Sequence, residues 1–302
     1  MDEKPIAELS IRRFSTAFRQ AYWTRHSDEP DAPILWSGLR QELGKWLAGE
    51  SPIVIGAITA PGEKVVVSRS VFSRSPTCRD LWYYGYFYTQ PGFRRLGLGE
   101  RVMRAGLNEI RRVGAQYCSC YVAEENYASA DLAIKLGFHK LPFVRVVFRD
   151  INECISHLVS RRLMGKSSAS LVTDIPSLID QILGGKDGAS VITDELSIRS
   201  PWQPWKSAED QLVQLEDDKG GNLGIGRIGA SKAVLVPNLD RLSNDVDGLI
   251  LSVVSTLGEG KKRPVFAFLP RSVADSLVKA KLSRECEFYD VFWHADLQQR
   301  NF

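Results

Sequence analysis

The chain has 302 residues, 44% hydrophobic and 25% charged, with a formal charge of only +3. That length suits two domains, each able to bury a core. The composition excludes a disordered or fibrous chain, and the near-neutral balance argues against a broad nucleic-acid-binding face.

The five cysteines, Cys78, Cys118, Cys120, Cys154 and Cys286, form no CxxC pair. The opening residues MDEKPIAELS lack the apolar core of a secretory signal, and no stretch approaches a membrane span. A reduced, cytoplasmic protein with no membrane association is therefore expected. His26, His139, His157 and His294 stand apart from any metal-ligand spacing, so no metal site is expected.

In chain order, AELSIRRFS (7–15) predicts a strand. Helical patches follow at 18–23 and 39–47, with the loop-like SDEPDAPILW between them. IVIGAITAP and EKVVVSRSVF read as a hairpin closed by PGE, and LWYYGYFYT as an aromatic strand. QPGFRRLGLGERV then concentrates glycines and adjacent arginines ahead of a helix in which Met103, Leu107, Ile110 and Val113 recur at three to four residues. YCSCYVA is a strand, ASADLAIKLG a short helix and FVRVVFRD a strand.

RRLMGKSSAS (161–170) has linker composition and divides the chain into units 1–160 and 161–302. Beyond it come a helix in IPSLIDQILGG, strands in ASVITDELSI, QLVQLEDD, NLGIGRIG and KAVLVPNLD, and a helix in DVDGLILSVVSTLG. A strand in RPVFAFLP, a helix in RSVADSLVKAKL and a strand in EFYDVFWHAD complete the chain. Element order alone makes the second half a degenerate repeat of the first.

A strand feeding a glycine turn that opens a helix has the layout of a phosphate site. Helix-start N–H groups point outward with the positive end of the dipole. Gly97 and Gly99 would let the backbone approach a pyrophosphate, and Arg94 and Arg95 would add charge. The plainer alternative is a turn with two solvated arginines.

The run Arg94-Arg95-Leu96-Gly97-Leu98-Gly99 resembles the Q/R-x-x-G-x-G/A loop of the GNAT superfamily of acyl-CoA-dependent N-acyltransferases. Asn126 to Phe138 is similar to that family's N-x-x-A-x-x-L-Y-x-x-x-G-F segment, with Ser129 in place of the alanine. The resemblance spans residues 7 to 150. It implies a GNAT fold, a mixed central sheet flanked by helices (α/β, α+β), here as two GNAT-like domains in tandem, and acetyl-CoA or another acyl-CoA as co-substrate. It also implies two central strands that splay apart at a bulge. The pantetheine arm would pair with Phe87, Tyr88 and Thr89. The pyrophosphate would lie on the N–H groups of Arg95, Leu96, Gly97, Leu98 and Gly99, and Asn126 would face the cofactor arm.

Two positions depart from the family. Ala133 stands where many members carry a thiolate-protonating tyrosine, and Tyr83 where some carry a carboxylate. Tyr83, Tyr86 and Asp80 remain as proton-transfer candidates. Glu100 would repel a phosphate and is expected to point away. Trp23, Asp31 and Trp36 are acceptor-pocket candidates, because that stretch covers the acceptor site in the family.

In the second half, Gly224 to Gly229 spells GxGxxG but is followed by a strand pattern, which favours a glycine-rich hairpin over a dinucleotide loop. Where a phosphate loop would fall, DRLSNDVDG is acidic, so this half is expected to bind no CoA. Cys118 and Cys120 read as small buried hydrophobes. Trp202 and Trp205 belong to a packed loop or line a pocket. The expected activity is acyl transfer, with acetyl as the expected group, to an amine of a small molecule. The alternatives are an aminoacyl-tRNA or other unusual donor, and a CoA-binding scaffold without catalysis.

Overall fold

The structure, a computed structural model, describes residues 9–15, 53–59, 65–75, 78–148, 167–171, 211–217, 219–229, 233–238, 264–279, 286–294 and 297–299. The first-half strands are β1 (Leu9–Arg13), β2 (Ile53–Thr59), β3 (Val66–Arg74), β4 (Leu81–Thr89), β5 (Tyr117–Ala123) and β6 (His139–Phe148). Helix α1 (Leu98–Arg112) follows β4, and α2 (Tyr127–Lys135) follows β5. The second half supplies β7 (Ser167–Leu171), β8 (Gln211–Asp217), β9 (Asn222–Ile228), β10 (Ala233–Pro237), β11 (Val265–Pro270), α3 (Arg271–Lys279) and β12 (Cys286–His294). Short 3-10 turns cover Pro91–Phe93 and Leu297–Gln299.

The twelve described strands form one sheet in the order β1-β2-β3-β4-β5-β12-β6-β11-β10-β9-β8-β7. The order is palindromic between halves. From either outer edge three antiparallel steps lead to a parallel step, β4 to β5 in one half and β10 to β11 in the other. Each half then pairs antiparallel with the last strand of the opposite half: β5 with β12, and β11 with β6. β12 and β6 pair with each other at the centre. The final strands are thus exchanged, and the repeated order in the sequence is a repeated topology in space.

Side chains alternate between the faces of a strand, and the two faces hold different cores. On one face Ile53, Ile55, Phe72, Trp82 and Tyr84 meet Leu98, Val102, Met103, Leu107 and Ile110 of α1, together with Ala133 of α2. The stripe on α1 is shifted from the expected one: Leu98 and Val102 join it. Val113 has left the helix as its C-cap and is 48% exposed. On the other face Leu81, Tyr83, Phe143 and Val147 pack with Ile225, Val234, Phe266, Phe268, Val291 and Trp293, drawing on both halves.

Two second-half readings change or sharpen. Ser167–Leu171, inside the expected linker and its border, is an edge strand paired antiparallel with β8. Small polar residues suit an edge strand as well as a linker, because only one partner strand constrains them. The GxGxxG run lies in β9 up to Ile228, antiparallel to β10, with Gly229 just past the strand, so it serves a hairpin and opens no helix. The expected helices at 18–23, 39–47, in IPSLIDQILGG and in DVDGLILSVVSTLG lie outside the described residues, as does the strand in ASVITDELSI.

Candidate functional site

β4 and β5 are paired only from Leu81 to Tyr83, against Tyr117 to Ser119. Beyond that point the strands part, although β4 continues to Thr89 and β5 to Ala123. The cause lies on the other edge of β4. Arg69 faces Tyr88 and Val71 faces Gly85, so Tyr86 and Phe87 together oppose Ser70. This is a β-bulge, which bends a strand and increases its twist. Tyr86 carries it at φ 50°, an uncommon backbone for a residue with a Cβ.

A buried side chain braces the bulge. Arg69, 1% exposed, donates from its guanidinium to the carbonyl of Tyr86 and lies over the Tyr88 ring at 5.5 Å. The sequence reading missed Arg69. Its signal was an arginine in the middle of the apolar strand EKVVVSRSVF, a place that demands a specific partner.

After β4 the chain turns through Pro91–Phe93. Arg94 Nε donates to the carbonyl of Thr89 at 3.0 Å, and its guanidinium lies 5.9 Å from the Tyr88 ring. Ser68 and Thr89 hydroxyls are 2.8 Å apart, tying β3 to the end of β4. Arg95 is left-handed at φ 63° and Gly97 at φ 72°. Gly97 is the N-cap of α1, and no side chain caps the helix there. The N–H groups of the first turn therefore have no partner within the helix. A Cβ on Gly97 would meet no atom within 4 Å, so open space adjoins the helix start.

Gly99 also has a packing role: a Cβ there would lie 2.7 Å from the Phe87 ring, so this glycine lets α1 close on β4.

These elements enclose a cleft of about 720 Å³, within the size range of small-molecule sites. Phe87, Tyr88, Thr89, Arg94, Arg95, Gly97, Leu98 and Gly99 line it, and α2 closes the far side with Asn126, Ser129, Asp131, Leu132 and Lys135. Leu96 does not line it and is 41% exposed. Asn126 does line it, but its Oδ1 accepts the Ser129 N–H at 3.2 Å as the N-cap of α2, so that oxygen already has a structural job.

Glu100 lines the cleft as well, contrary to the expectation that it would point away. Its repulsion is offset locally: Oε2 pairs with Lys135 Nζ at 2.6 Å and Oε1 with Arg104 Nη2 at 2.9 Å. The bond to Lys135, then that to Arg104, holds its carboxyl below the usual carboxylate range.

Residues 9–138 match the model of the acetyltransferase (GNAT) family, a stretch shorter than half of the chain. This segment belongs to the GNAT acetyltransferase family. Among solved structures, a GCN5-related N-acetyltransferase from Sphaerobacter thermophilus is similar over 96% of each chain, at 15% identity and a TM-score of 0.52. That likeness shows a shared fold over the whole length. A tandem GNAT protein from the clavulanic acid biosynthesis pathway, solved without AcCoA, covers 96% of this chain and 99% of its own, at 12% identity and a TM-score of 0.49. The putative acetyltransferase yncA from Salmonella typhimurium, solved with its cofactor acetyl-CoA, covers 45% of this chain and 83% of its own, at 19% identity and a TM-score of 0.36. No curated protein matches the chain.

The GNAT half scatters the proton-transfer candidates, and none of the three lines the cleft. Asp80 precedes β4 at the end opposite the bulge, where its carbonyl accepts the N–H groups of Gln116 and Tyr117. A strand rises about 3.3 Å per residue, so Asp80 lies roughly 20 Å from Phe87. Tyr83 is 1% exposed on the face away from α1, stacked on Tyr121 with ring centres 6.4 Å apart. Tyr86, at the bulge, is 40% exposed, and partial burial raises its hydroxyl pKa.

Ala133 is fully buried in the core beneath α2. Cys118 and Cys120 are buried on the same face, and burial pushes the Cys118 thiol well up and the Cys120 thiol up to about 12, which suits packing rather than nucleophilic chemistry. Trp23, Asp31, Trp36, Trp202 and Trp205 lie outside the described residues.

Proposed function

We propose that the protein is an N-acyltransferase that moves an acyl group, acetyl in the simplest case, from acyl-CoA to an amine of a small molecule. One observation carries the reading. Every residue expected from the sequence to hold the donor, Leu96 excepted, lines the same cleft at the split between β4 and β5. The fit is chemical as well as spatial. An uncapped helix start, a left-handed Gly97 facing open space and two arginines suit a pyrophosphate. The edge left open on β4 after Tyr83 suits an extended arm that pairs with backbone.

Bound acyl-CoA would supply the activated thioester. The chain's own part would be to hold that group still, exclude water and present N–H groups to the carbonyl, so that proximity and polarisation carry most of the rate. On this reading residues 1–160 form the donor-binding unit. Residues 161–302, with the acidic DRLSNDVDG in place of a phosphate loop, form a unit that binds no CoA.

The absence of Asp80, Tyr83 and Tyr86 from the cleft wall favours a second reading, a CoA-binding protein without transfer. Turnover against a broad panel of amines separates the two.

The first test is thermal stability with CoA, acetyl-CoA and longer acyl-CoAs. A ligand at a hundredfold excess over Kd stabilises the native state by about 2.7 kcal/mol. The parent should gain, and Gly97→Glu, which puts a carboxylate at the helix start, should not. No response of the parent to any CoA ligand would remove the donor assignment.

A further inference from the structure

The face of the sheet away from α1 holds an arginine that nothing in the donor reading uses. Arg145 lies on β6, directly across from Tyr289 of β12 and Phe268 of β11. Its guanidinium is stacked between two rings, 4.6 Å from the centre of Tyr121 and 4.5 Å from that of Phe266, with Tyr289 at 5.9 Å. Its Nε is buried without a hydrogen-bond partner, and among the described residues no carboxylate pairs with it. The nearby Glu287 accepts instead from the Tyr289 hydroxyl at 2.8 Å. Taking a guanidinium partly out of water without an anion is costly. Aromatic faces recover part of that cost and fix the planar fork in one orientation. A fork held this way presents its donors to a planar anion.

Its place in the sheet gives the arginine a meaning. Tyr83 is the last β4 residue paired with β5, and Tyr121 lies on β5 just beyond the pairing. The stacked pair Tyr83–Tyr121 therefore stands at the mouth of the split, on the face opposite the donor cleft. Arg145 touches Tyr121 and stems from a strand two positions from β5. Strands are about 4.8 Å apart, which places it within roughly 10 Å of the split.

We propose that Arg145, held between Tyr121 and Phe266, binds the carboxylate of the acyl acceptor and so points the amine of that molecule at the split. The acceptor is then an amine that carries a carboxylate a few bonds away, approaching from the face opposite the donor. The site joins both halves: Arg145 and Tyr121 come from the first, Phe266 and Tyr289 from the second. The proposal rests on the donor reading given above, and the test separates the two.

The full chain is saturated with CoA, so that no transfer occurs. It is then titrated calorimetrically with ω-amino carboxylates of two to six carbons, with the matching amides and with O-phosphoethanolamine. The carboxylates should bind and the amides should not. Arg145→Gln should weaken carboxylate binding roughly 10- to 100-fold, the scale of a lost charge-assisted pair, while its response to CoA stays that of the parent. That CoA response also reports that the variant has folded, and Arg145→Lys should bind with intermediate strength.

Equal binding of carboxylates and amides, no binding of either, or an Arg145→Gln variant that binds carboxylates like the parent would overturn the proposal. Binding of O-phosphoethanolamine alone would overturn the carboxylate and leave an anion site of another class. A protein that fails to bind CoA at all would instead defeat the donor reading.

Discussion

Glu100 carries a titration that can be read in solution. It sits in the first turn of α1, where a carboxylate favours the helix dipole, and it is held by Lys135 and Arg104. Those partners lower its pKa in the folded chain below the ordinary value of 4.5. A carboxyl whose folded pKa is lowered contributes stability above the unfolded value, and that contribution is lost as pH falls through the folded one. The contribution should therefore be present at pH 6 and decline below pH 4.5. Urea midpoints of the parent and of Glu100→Gln should differ at pH 6 and draw together as the pH falls below 4.5. A constant difference across that range would show that the pairs add nothing pH-dependent. The same substitution removes a negative charge from the cleft wall and releases Lys135, so CoA should bind a few-fold more tightly to the variant.

At the scale of elements, the cleft depends on a bulge that would relax if its brace were removed. Arg69→Met keeps the length of the buried stem but takes the donor from the Tyr86 carbonyl. Loss of a hydrogen bond from a charged donor costs about 1.5–3 kcal/mol, and the φ of 50° at Tyr86 loses this restraint. Arg69→Met should unfold at lower denaturant concentration and lose most of the stabilisation by CoA, whereas a purely structural role would lower stability and leave CoA affinity intact.

This brace also marks how far the sequence could be read. The glycine loop, α1 and α2 were legible because helix period, caps and turn residues are local signals. Arg69 and Arg145 were not, because each acts on a neighbouring strand whose register no local pattern states. Which end of β4 faces the cleft was illegible for the same reason: nearness along the chain to Tyr83 did not tell that Asp80 lies at the end away from the bulge. Ser167–Leu171 passed as linker because an edge strand needs little apolar content.

At the scale of the molecule, the exchange of final strands sets what can fold alone. β6 lies between β12 and β11, both from the second half, so in residues 1–160 it has no strand partner. β5 would lose β12, and with it the bond from the Ser119 hydroxyl to the Phe292 carbonyl at 2.8 Å. Phe292 and Leu297, 1% and 0% exposed, would also leave the core beneath α1, and Leu297 N–H and the Gln298 amide would no longer bond the turn between α1 and β5. Burying each of these two side chains is worth about 2–3 kcal/mol, and a domain has only about 5–15 kcal/mol of net stability. Residues 1–160 alone should therefore lack a cooperative unfolding transition and any response to CoA. Co-expression with residues 161–302 should restore both, since each fragment carries the strand that the other lacks. The outcome also bears on the boundary at 160. If residues 1–160 fold as a monomer stabilised by CoA, the exchange is dispensable and that boundary separates true domains. If only the pair folds, the boundary is one of sequence, and the second half keeps the donor cleft in shape whether or not it binds anything itself.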